Sequence, residues 1–164
     1  MKPDRARVLQ EGFVAGLIGY AAVVVFFAAV NLLQGRSIFF TAEILGAPLV
    51  AGAERIPGTR AEAAVLVYNG VHLLVFLLLG LLAAWLTLQT EKHPVFWYFA
   101  LYIGMAGFFL STAFVMVASM SVPDLPWILA LFANLAAGGA MGFYFAKAHP
   151  RLWRTIKTMG DSDD

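Results

Sequence analysis

Apolar positions in this chain neither alternate nor keep to one helical face; they fill whole stretches. Residues 64–86, AVLVYNGVHLLVFLLLGLLAAWL, set the pattern: no Asp, Glu, Lys or Arg interrupts them. At a rise of about 1.5 Å per residue such a run spans roughly 34 Å, enough for a hydrocarbon core of about 30 Å. Lipid offers the backbone no hydrogen-bond partner, so the run is expected to be helical. Residues 12–33, 95–120 and 126–145 repeat the pattern. The expected fold is an all-α polytopic membrane protein: four transmembrane helices in a bundle, a single membrane domain over 1–164, with a short interfacial helix in the first outer loop. The first run is too long for a signal-peptide core of about 7–15 residues and is expected to be retained.

The connections read differently from one another. Residues 37–52 are apolar but too short to cross, so they are expected to lie in the interface or dip into it. Thr41 is placed to cap a helix starting at Ala42, with Glu43 near its positive end and with Gly46 and Pro48 stopping it. A polar turn with Glu54, Arg55, Pro57, Gly58 and Arg60 follows. QTEKHP (89–94) reads as a tight polar turn, with Phe96, Trp97 and Tyr98 as an interfacial aromatic belt behind it. Residues 121–126 form another short turn. In the tail (147–164), Arg151, Arg154 and Lys157 alternate with Leu152, Trp153 and Ile156, which predicts a basic amphipathic helix against anionic lipid headgroups. Small residues recur at Gly12, Gly16 and Gly19, at Gly104, Gly107 and Ser111, and at Gly138 and Gly142 beside Asn134, the spacing that lets membrane helices approach closely.

Composition agrees with the pattern. The chain is 61% hydrophobic and 13% charged with a mean hydropathy of +0.80, against about 25% charged in a soluble domain. A net charge of +1 argues against a nucleic-acid partner. There is no cysteine, so disulfides, zinc–thiolate sites, iron–sulfur clusters and thiol catalysis are excluded. With four spans both termini share a side, which holds Lys2, Arg5, Arg7, Lys92, Lys147, Arg151, Arg154 and Lys157; the other side holds Arg36, Arg55 and Arg60. The positive-inside rule then places both termini in the cytoplasm and 34–62 outside it.

Equal depth singles out a polar layer. His72 and Asn134 each lie eight residues inside an outer boundary, about 12 Å, and Thr112 lies eight before Met120. His72, Asn134 and Ser111 or Thr112 are therefore expected at one level, with Tyr68 and Asn69 just above and Asn31 shallower. His72 is expected to face the bundle interior and bond to Asn134. One reading is a hydrogen-bonded layer that fixes helix register. Another is a ligand or proton site, since ionisable groups at membrane depth mark function. Haem through His72 needs a second axial ligand, and His93 and His149 sit at the far ends of their spans. No serine–histidine–acid triad, paired-carboxylate site, phosphate-binding glycine loop or zinc-protease motif occurs, so no enzymatic activity and no cofactor are expected.

Several short motifs carry a resemblance. Gly35-Arg36 follows the first span, Leu45-Gly46-Ala47 lies in the outer loop, and Tyr68, His72 and Phe76 mark the second span. Glu91 and Pro94 occupy the turn, and Asn134, Met141, Tyr144 and His149-Pro150 close the chain. In these the chain resembles a group of uncharacterised four-helix bacterial integral membrane proteins with a His-x-x-x-Phe second span. The resemblance implies the same fold and a bacterial inner-membrane setting. It implies no known activity. Relatives carry an acidic residue in the third span where this chain has Ser111 and Thr112, a departure that weakens proton handling. Two functional classes follow: an accessory or scaffolding subunit that joins other membrane subunits or itself, and a small-molecule, lipid or ion-binding or transport protein built on the layer around His72.

Overall fold

Helix in this protein runs past the apolar stretches at four of their eight ends. The computed structural model describes residues 5–50, 60–93, 95–119 and 126–152. They form α1 (Arg5–Leu33), α2 (Phe40–Gly46), a 3-10 turn (Ala47–Val50), α3 (Arg60–Lys92), α4 (Phe96–Ser119) and α5 (Trp127–Ala148). Helices make up 92% of these residues and there is no strand among them. The charged lead-in before the first span is helical because Arg7 and Glu11, one turn apart, pair at 2.6 Å. The expected turn at 89–94 is largely the last turn of α3. Thr90 returns its hydroxyl to Leu86 O at 2.8 Å, and His93 N donates to Gln89 O at 2.9 Å. Residues 51–59, the 121–125 turn and the tail beyond 152 lie outside the described residues, including Arg55, Arg154 and Lys157.

Four of these helices are long and apolar enough to cross a membrane. The side chains they leave outside say the same. On α3 alone Leu66, Val71, Leu74, Leu78 and Leu79 are exposed, a surface that lipid covers and water does not.

Glycine sets how the helices meet. A Cβ at Gly16 would sit 2.8 Å from Leu77 Cα, and one at Gly12 2.6 Å from Leu81 Cα. From the other side, a Cβ at Gly80 would run into the Gly12 carbonyl and lie 2.5 Å from Gly16 N. The α1 and α3 backbones therefore touch directly, and this is the most extensive helix pair in the fold. On α5, Ala130, Ala133 and Ala137 form the buried face, and the core gathers there: Val23 of α1, Phe76 of α3, and Ala133 and Ala137. α4 stands apart. Between Phe96 and Ala113 none of its residues is buried.

The outer segment is tied down rather than capped. α1 ends on Gly35 at φ 68, where Gly35 N donates to Leu32 O and Arg36 N to Asn31 O, so the last carbonyls are satisfied. Thr41 does not cap α2. Its N-cap position is Phe39, and the Thr41 hydroxyl donates to Asn31 Oδ1 at 3.1 Å instead. Asn31 Nδ2 donates to Ile38 O at 3.2 Å. This buried pair pulls α2 back onto the bundle, where Gly46 packs on the Ala64 carbonyl. The α-helix ends at Gly46, as expected, and a 3-10 turn over Ala47–Val50 carries the chain past Pro48.

Candidate functional site

The four-residue spacing of Tyr68, His72 and Phe76 puts them on one face of α3, turned toward α1. The Tyr68 ring stacks on His72 with centroids 5.2 Å apart and planes at 19°. Phe76 meets the imidazole edge-on at 5.1 Å, and Tyr20 of α1 lies 6.2 Å away. Tyr20 donates its hydroxyl to Asn69 Oδ1 at 2.9 Å, and Asn69 donates to Val65 O of its own helix at 2.8 Å. His72 Nε2 is buried, and among the described residues it is the one buried side-chain polar atom with no hydrogen-bond partner.

The expected single layer is two separate groups. Asn134 donates Nδ2 to Ser111 Oγ at 2.9 Å, joining α5 to α4. Ser111 donates to Phe108 O at 3.0 Å, and Thr112 donates to the same carbonyl at 2.8 Å, so Thr112 bonds within its own helix. No hydrogen bond joins His72 to Asn134, which corrects the expected pairing. Spacing from a span boundary leaves direction open. His72 faces Tyr20 of α1, whereas Asn134 bonds to Ser111 of α4.

A third group, at the opposite end of the bundle, was not expected. Glu11 near the start of α1, Glu91 near the end of α3 and His149 at the end of α5 converge. His149 Nε2 lies 2.8 Å from Glu11 Oε2, and Nδ1 lies 2.6 Å from Glu91 Oε1. The His149 side chain is 1% exposed. Arg7 joins both acids, with Nε 2.6 Å from Glu11 Oε1 and Nη1 3.7 Å from Glu91 Oε2. His149 arrives there because α5 ends on it: its backbone N–H donates to Phe145 O at 2.9 Å, and Pro150 follows. Two clefts of about 470 Å³ open on the group. One is lined by Arg7, Thr90, Glu91, His149 and Arg151, the other by Arg7, Gln10, Glu11 and Tyr144. Arg151, an expected headgroup contact, thus lies at this cleft.

The arrangement limits the chemistry. Both nitrogens of His149 face carboxylates, so the ring has no free site for a general base or an axial iron ligand. Among the described residues no cluster of His, Asp or Glu is arranged to hold a metal ion. The missed signal was one of side. Glu11 precedes the first span, Glu91 follows the second and His149 follows the fourth, so topology alone puts all three at one end. No family model, no curated protein and no solved structure matches the chain.

Proposed function

We propose that the protein is a non-catalytic subunit of a bacterial inner membrane, both termini cytoplasmic, which assembles with other membrane helices, a second copy of itself among them, along α4 and α5. One contrast carries this reading. A side chain at Gly12, Gly16, Gly19 or Gly80 would collide with a neighbour inside the chain, whereas one at Gly104, Gly107, Gly138, Gly139 or Gly142 meets nothing within 4 Å. Gly138 and Gly142 stand four apart on an exposed, apolar helix, the spacing through which membrane helices pack backbone to backbone. α4, with no buried residue across its apolar stretch, offers the adjoining surface.

The test is native mass spectrometry after purification in mild detergent. The parent is expected to carry a second protein chain, and Gly138→Ile with Gly142→Ile is expected to release it. A parent that flies alone overturns the assembly reading. A small molecule retained by that lone chain, and lost in His72→Leu, supports the second reading, a small-molecule, lipid or ion site around His72. The unpartnered Nε2 is the observation that favours it.

A further inference from the structure

We propose that Glu11, His149 and Glu91 form a proton-binding site, in which one proton beyond the neutral imidazole is held on His149 and locks the end of α5 to α1 and α3.

Hydrogen-bond valence is the first argument. A neutral imidazole has one N–H and one bare lone pair, whereas the imidazolium has two N–H donors. Here both nitrogens lie within hydrogen-bond distance of carboxylate oxygens, 2.8 Å to Glu11 and 2.6 Å to Glu91. With a neutral ring, one of these contacts sets a lone pair against an anionic oxygen. With the imidazolium, both are charge-assisted hydrogen bonds of the short kind.

Charge balance is the second argument. The groups facing His149 are Arg7 and Glu11 from α1 and Glu91 from α3. Arg151 follows on its own strand of chain, and the Tyr144 hydroxyl lies at the Glu11 cleft. Lys92 and Lys147 stand on the neighbouring helix ends. The His149 side chain is 1% exposed, while the two carboxylates that face it are 12% and 29% exposed and also meet Arg7. A proton on His149 gives both carboxylates a cationic donor. Arg7 contacts both acids, so the two carboxylates are held on either side of the ring.

Three helices depend on that proton. Glu11 and His149 are 138 positions apart in the chain, and Glu91 and His149 are 58 apart. When the proton leaves, one of the two carboxylates loses its donor, and with it one helix loses its polar tie to the end of α5.

The first measurement needs no change at the site. The chain has three histidines, so His72→Gln with His93→Gln leaves His149 alone, and nitrogen-15 NMR of that protein in detergent reports the ring directly. Two protonated nitrogens at neutral pH are expected; one protonated and one bare nitrogen overturns the proposal. The second measurement is thermal unfolding of the otherwise unaltered chain between pH 6 and 9. Loss of one charge-assisted bond is expected to lower Tm by roughly 3–10 °C as pH rises. Glu11→Gln and Glu91→Gln, which keep a hydrogen-bonding oxygen without the charge, are expected to flatten this profile, as is His149→Gln. A profile equally steep in all three variants overturns the proposal, and so does a flat profile in the parent.

Discussion

Two residues read as one polar layer can face different neighbours, and His72 and Asn134 show how. Rise along a helix sets how far a residue lies along its axis and says nothing of which way it faces. Azimuth depends on which helices meet, and that is decided by the glycines of α1 and α3. Asn134 consequently spends its amide on Ser111, and His72 spends its ring faces on Tyr68, Phe76 and Tyr20. The energetic prediction follows from the observed partners. Ser111→Ala and Asn134→Leu should be non-additive in thermal unfolding, with a coupling of about 0.6–2 kcal/mol. His72→Leu and Asn134→Leu should add, since no bond links them. Coupling in the second pair and none in the first would reverse this assignment.

Helix ends were less legible than helix existence, because a membrane span and a helix stop for different reasons. The span stops where charge begins. The helix stops where its backbone donors and acceptors find other partners, which for α1 is Gly35 and for α5 is His149. The added turns at Arg7, Glu11 and Glu91 then build the polar cluster that a boundary drawn at the first charge leaves out. Glycine spacing was legible as a sign of close packing, but only the structure separates the glycines already in use from those left open. The difference is testable on single helices. Gly80→Val drives a branched side chain into the Gly12 carbonyl and should cost at least about 2 kcal/mol of stability. Gly104→Val, where nothing lies within 4 Å, should leave the Tm of the chain in detergent nearly unchanged. Equal losses at both positions would mean that α1 and α3 are not in backbone contact.

At the scale of the molecule, the start of α1 and the ends of α3 and α5 share one end of the bundle. This end carries Arg5, Arg7, Lys92, Lys147 and Arg151, while Arg36 lies beyond the other end of α1. The Lys and Arg asymmetry is the basis for assigning the crowded end to the cytoplasm. A cysteine at Gly58 should react with a membrane-impermeant thiol reagent in intact cells, and one at Ser162 only after lysis. The opposite labelling reverses the topology and leaves the helix packing untouched.

The polar cluster also bears on how the protein is made. A ribosome delivers α1 first and α5 last, and α1 can dock on α3 as soon as the second span has inserted. From then until the end of α5 emerges, Glu11 and Glu91 lack the imidazole that bridges them in the folded chain. His149, at the end of the fourth span, completes the cluster. A chain interrupted before His149 would keep α1 on α3 through their glycines and leave both carboxylates without their bridge, so closing this cluster is the last step of assembly.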